Sequence, residues 1–197
     1  MRKILMVVAL FVMGLFALLA GLFIIGEAVA DPGGWVGVGL IALWLVPLVV
    51  LVWFAWQRPE SATWLLGGLS VLAVGLLAWS ALDPTRWHDF QNANGPVLAI
   101  GVFAVAVPLT VLGWHRPLAA GGWLTLLGLT PLAVLALAGA PSRTDAVRPE
   151  QGLVVLAIPV VLTGVLLLIA GLIDREHKPR PSSRTSDGPR TLPTKVA

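Results

Sequence analysis

The chain contains no cysteine. That removes disulfides, thiol nucleophiles, iron–sulfur ligation and cysteine-based zinc sites. Tyrosine is absent as well, and the three histidines lie far apart, so a histidine-rich metal site is not expected. Charge is scarce: Asp, Glu, Lys and Arg make up 12% of the residues, half of the roughly 25% typical of a soluble domain. Hydrophobic residues make up 57% and the mean hydropathy is +0.90. Together these exclude an ordinary water-soluble globular fold. No HExxH, GxSxG or Walker sequence occurs, so the common zinc-hydrolase, serine-hydrolase and nucleotide-binding signatures are missing. The pI of about 10.2 reflects a small arginine excess on an apolar chain and does not point to nucleic acid.

Long apolar runs are what the chain has instead. A hydrocarbon core about 30 Å thick takes about 20 residues of helix. Six runs match or nearly match that length: 4–26, 35–56, 62–82, 96–114, 118–138 and 152–173. None contains Asp, Glu, Lys, Arg or His. Each must be helical, because an unpaired backbone group in lipid costs several kcal/mol. Barrel strands would alternate in polarity over about ten residues, and these runs are apolar on all sides. The expected fold is therefore all-α, a polytopic transmembrane bundle of six helices.

Charge gives the expected orientation. With the N-terminus inside, ten of the Lys and Arg residues fall on the inner side, and three (Arg86, Arg143, Arg148) on the outer side. This follows the positive-inside rule, although the tail supplies six of the ten. Trp53, Trp56, Trp64, Trp114 and Trp123 are expected at the inner interface, where indole rings settle. Both termini are thus expected to be cytoplasmic, in a multi-pass protein of the cell (inner) membrane. A competing reading takes Met1-Arg2-Lys3, the first apolar run and Ala28-Val29-Ala30 as a cleaved secretory signal. The run is longer than the 7–15 residues of a signal core, which favours retention as a span.

The chain also matches itself. Trp56-Gln57-Arg58-Pro59 returns as Trp114-His115-Arg116-Pro117, and Gly68-Leu69-Ser70 aligns with Gly128-Leu129-Thr130. Pro47, Pro108 and Pro159 stand inside the even-numbered runs, each preceded by a glycine at 39, 101 or 152. The pattern suggests three tandem helical hairpins. Small residues such as Ala17 with Gly21, and Gly164 with Gly171, predict close helix approach. The prolines are read mainly as packing features, with a hinge or solute path as the sharper alternative.

The apolar runs carry no ionisable residue, which argues against a proton relay or charged pore. Their hydroxyls (Ser70, Thr110, Thr125, Thr130, Thr163) are expected to bond back to their own helical turns. Five residues remain as candidate functional or interface positions. Glu27 is expected to end the first span at the outer interface, where it opposes the helix dipole and calls for a cation; Arg86, Arg143 and Arg148 are all open as that partner. Arg58 (with Glu60 close by) and Arg116 lie on tight inner turns, suited to phosphate headgroups and helix C-caps. His88 and Asp89, with Asp83, form an outer-loop cluster whose spacing suits a polar turn better than a metal or an acid–base pair. No catalytic residue, metal or cofactor is expected. Residues 174–197, rich in Pro, Ser, Thr and Arg, are expected to be a disordered basic cytoplasmic tail, with weak attraction to an anionic leaflet.

Phe23-Ile24-Ile25-Gly26-Glu27, Trp44-Leu45-Val46-Pro47, Phe54-Ala55-Trp56-Gln57-Arg58 and Gly67-Gly68 together resemble a family of uncharacterised small multi-pass bacterial membrane proteins. That resemblance covers about the first eighty residues of the chain and implies a membrane setting without a mechanism. Trp64-Leu65-Leu66-Gly67-Gly68 is more loosely similar to three-hairpin acid-resistance membrane proteins, with Pro47 and Pro108 where those carry glycines. The expected role is that of a non-enzymatic accessory or envelope component, touching the lipid bilayer and a membrane-protein partner or a second copy. The alternative is a transporter of a small neutral or lipidic solute.

Overall fold

A computed structural model describes residues 2–30, 34–83, 85–86, 97–138 and 151–176. Six helices carry these residues: α1 (Arg2–Ala30), α2 (Gly34–Gln57), α3 (Pro59–Leu82), α4 (Val97–Leu112), α5 (Pro117–Ala138) and α6 (Gln151–Glu176). No strand occurs among the described residues. The all-α expectation holds. Four of the helices are long and apolar enough to cross a bilayer, over Arg2–Leu22, Gly34–Gln57, Pro59–Trp79 and Ala157–Arg175; Gly101–Leu112 and Pro117–Ala133 are shorter apolar stretches.

The helices form a ring of five around a sixth. α1 packs on α2, α2 on α3, α3 on α5, α5 on α6 and α6 back on α1, while α4 touches all five. From Gly101 to Leu112 no residue of α4 is exposed. An enclosed helix must be apolar all round, as α4 is, although its neighbours in the ring are equally so. At about 24 Å by its 1.5 Å rise, α4 is shorter than a bilayer core, and its flanks meet protein in place of lipid. Phe103 of α4 stacks on Phe16 of α1 with centroids 5.4 Å apart. Leu109, Leu112, Leu124, Leu127 and Leu167 are buried around it.

The outside is as apolar as the inside. Along α1, Met6, Ala9 and Met13 face inward while Ile4, Phe11, Leu15, Leu18 and Leu22 stand exposed. Soluble monomers rarely expose contiguous apolar patches beyond a few hundred Å²; a lipid-facing surface has no such limit. Exposed indoles mark both ends of this surface: Trp53, Trp56 and Trp64 near the α2–α3 junction, Trp35 and Trp79 near the far ends of those helices. About 27 Å of helix separates Trp35 from Trp53, and about 22 Å separates Trp64 from Trp79, close to one hydrocarbon thickness. The chain is a helical membrane protein. Trp114 and Trp123 are partly buried against the core at the same end, unlike the exposed Trp53, Trp56 and Trp64.

α5 and α6 form the closest pair. A Cβ added at Gly121 would stand 2.8 Å from the Gly164 carbonyl oxygen, and one at Gly164 would stand 2.7 Å from the Thr125 nitrogen. Gly128 lies as tightly against Val161, and Gly171 against Leu118. The ridge expected at Gly164 and Gly171 therefore has a glycine counterpart on α5. The glycines aligned between the two halves do not share surroundings: a Cβ at Gly68 would meet nothing within 4 Å, whereas at Gly128 it would meet Val161 Cγ2 at 2.5 Å. Nor are the three hairpins placed alike, since α4 is central while α2 and α6 lie in the ring.

Two boundaries differ from the expected ones. α1 runs past Glu27 to Ala30, because Ala28-Val29-Ala30 offer the helix no breaker. Asp174 and Arg175 belong to α6, which ends at Glu176, so the helix enters the segment assigned to the tail; residues 177–197 lie outside the described residues.

Candidate functional site

Among the described residues most charged side chains lie at one end of the bundle, with Asp83 and Arg86 at the other, and the repeated Trp-x-Arg-Pro turns build the first of these ends. Pro59 and Pro117 each open a helix, a position where the missing N–H costs nothing. The residue before each is thereby pushed out of helical geometry; Arg58 has φ −128° and ψ 69°. In both turns the arginine links two helices. The Arg58 N–H donates to the Phe54 carbonyl at 2.9 Å and its carbonyl accepts from Ala62 at 2.9 Å. Arg116 does the same with Leu112 at 2.9 Å and Ala120 at 3.1 Å.

The two turns meet. The His115 ring stands edge-on to Trp56, with centroids 5.2 Å apart, and Arg116 Nη2 donates to Glu60 Oε1 at 2.8 Å. Arg2 at the start of α1 reaches Asp174 near the end of α6 at 2.9 Å, placing both terminal helices at this end too. Beside them a cleft of about 530 Å³ opens between the start of α5 and the end of α6, lined by Arg116, Asp174 and Arg175 with Leu118 and Gly171.

Of the sequence-derived candidates, the structure brings Arg58 and Arg116 to this shared end. Glu60 pairs with Arg116 across the two turns and not with its neighbour Arg58. Glu27 lies on α1, with its side chain outside the described residues, as are His88, Asp89, Arg143 and Arg148. Asp83 is occupied locally: Oδ1 accepts from Thr85 Oγ1 at 3.0 Å and from the Arg86 N–H at 3.3 Å, and Oδ2 pairs with Arg86 Nε at 3.3 Å. That is the bonding of a polar turn. Among the described residues no group of three His, Cys, Asp or Glu side chains is placed to hold a metal. The residues that sequence reasoning missed are His115, Asp174 and Arg175; their signal was their position beside the repeated turn and the last span.

Glu60 is largely solvated, so its pair with Arg116 is worth little. Glu60→Gln is expected to change unfolding stability in detergent by less than about 1 kcal/mol, with the residual effect vanishing in high salt.

Four of the five hydroxyls in the apolar runs expected to bond back to their own helical turns do so. Ser70 donates to the Leu66 carbonyl at 2.7 Å, Thr110 to Ala106 at 2.9 Å, Thr125 to Gly121 at 2.8 Å and Thr130 to Leu126 at 2.7 Å. Thr163 differs: it is buried and its hydroxyl has no partner. Ser70→Ala is expected to shift stability by at most about 1 kcal/mol, read by the same unfolding measurement, because the Leu66 carbonyl keeps its place in the helical ladder. Compared with known protein families, curated proteins and solved structures, the chain matches none.

Proposed function

We propose that the protein is a non-enzymatic accessory component of the cell envelope, seated in the plasma (inner) membrane with both termini cytoplasmic, and acting through a partner protein or a second copy at its polar end. The observation that supports this reading is the division of the molecule. Leu109, Leu112, Leu124 and Leu127 fill the interior without exposure, and most buried hydroxyls are bonded within their own helices. Among the described residues, Trp56, Glu60, His115 and Arg116, charged and aromatic groups able to recognise a partner, stand together on two abutting turns. A photo-crosslinking residue at Gln57, which is exposed beside Arg58, tests it in intact membranes. A discrete protein adduct at Gln57, missing when the crosslinker is moved to lipid-facing Leu126, is the expected result. Lipid adducts alone at both positions would overturn the reading.

The transport reading has one specific support, the unpartnered Thr163 hydroxyl one turn beyond Pro159. A solute path past this residue requires water there. Thr163→Cys is expected to stay unreactive toward a small methanethiosulfonate reagent in intact membranes. Rapid reaction would favour the transporter.

A further inference from the structure

The α5–α6 seam has a sidedness that its packing alone does not need. Leu118 meets Gly171, Gly121 and Thr125 meet Gly164, and Gly128 meets Val161; numbers rise on one helix as they fall on the other, so the pair is antiparallel. One position beyond the seam residues stands an exposed row on each helix: Gly122, Leu126 and Leu129 on α5, and Leu162, Val165, Ile169 and Leu172 on α6. A one-residue step turns a helix by about 100°, and in antiparallel helices equal steps turn toward the same side of the seam. The two rows therefore stand on the same side of the seam and edge an apolar trough along it, the seam glycines themselves being buried beneath. Its upper end is the cleft: Leu172 lies one turn before Arg175, and Gly122 one turn after Leu118.

The cleft is cationic. Asp174 is neutralised by Arg2 at 2.9 Å. Arg116 gives one nitrogen to Glu60 and keeps its other donors. Arg175 has no ion-pair partner among the described residues. The N–H groups of Leu118 and Ala119 sit in the first turn of α5, where no intrahelical acceptor exists, and both residues line the cleft. The exposed indoles at this end put it at headgroup depth.

We propose that this seam and cleft bind one anionic phospholipid, its phosphate held between Arg116 and Arg175 and an acyl chain laid along the trough. The occupant is a lipid because the guanidiniums and the apolar walls are continuous. A free anion would use the first and leave the second bare. The proposal goes beyond the accessory role and stands whether or not a protein partner exists.

The test uses the full-length protein in detergent, with lipid retention read by native mass spectrometry after adding phosphatidylglycerol, phosphatidylcholine or inorganic phosphate. Phosphatidylglycerol is expected to be retained as a single adduct. Arg116→Gln with Arg175→Gln should weaken it by about tenfold or more, since each basic group at an anionic headgroup is worth about 1 kcal/mol. Arg58→Gln, outside the cleft lining, should leave retention unchanged. Should the double variant lose monodispersity, Arg175→Gln alone carries the test, because that side chain is exposed and holds no ion pair among the described residues. Equal retention of phosphatidylcholine, or retention indifferent to Arg175, would overturn the proposal. Displacement of the lipid by inorganic phosphate at equal concentration would also overturn it, leaving a simple anion site.

Discussion

Gly164→Val is expected to destabilise the folded bundle by about 3 kcal/mol or more, the upper range for overpacking. The penalty arises before the branched methyl groups are counted. A Cβ alone at this position would stand 2.6 Å from Thr125 Oγ1, 2.7 Å from the Thr125 nitrogen and 3.1 Å from the Gly121 oxygen. Two of these atoms are backbone and cannot rotate aside. The third is held by its bond to the Gly121 carbonyl at 2.8 Å. The two helices would have to separate, which opens the most extensive interface in the bundle. Without a hydrophobic drive between helices in lipid, such close van der Waals packing carries much of their association. Gly14→Ala and Gly75→Ala supply the comparison, because a Cβ at either meets nothing within 4 Å; each should stay within about 0.5 kcal/mol of the parent. Unfolding in mixed micelles, followed by tryptophan fluorescence, separates the two classes. Equal behaviour would mean that α5 and α6 do not approach closely.

The second large effect comes from a position that touches little. Leu15 is 48% exposed on the outer face of α1. In a water-soluble protein Leu15→Asp would fall within about 0.5 kcal/mol of neutral, as exposed substitutions usually do. Facing lipid near the middle of a span, the carboxylate costs about 2.5–3.5 kcal/mol on insertion scales. The folded yield in carbonate-washed membranes is therefore expected to collapse for Leu15→Asp and to hold for Gln57→Asp, an exposed site at the polar end. The sign is the informative part, since the same leucine change would improve the solubility of a protein that lives in water.

The number of helices is legible in the six uncharged runs, because hydrocarbon leaves a chain no other way to satisfy its backbone. The position of α4 is not. Every run is apolar on all sides, so no sequence has a polar face to mark which helix meets lipid and which is enclosed. The glycines show the same limit: Gly75 and Gly164 look alike in the chain, yet one faces open space and the other a backbone, and only the neighbouring helix decides. Arg58 and Arg116 are placed at one end by their turns and by the even number of crossings between them. The partner of Arg116 is not legible, because Glu60 reaches it across a helix junction. The charge of Glu27 closes the first apolar run, whereas α1 continues to Ala30, because the end of an apolar run is not by itself the end of a helix.

Single-cysteine labelling tests the membrane-crossing architecture most directly, since the chain has no cysteine of its own. Gln57→Cys stands at the polar end and Thr85→Cys just beyond the far end of α3, both exposed. An impermeant maleimide applied to sealed vesicles of known orientation should label each from one side only, and from opposite sides. Labelling of both from the same side would contradict a bundle that spans the bilayer.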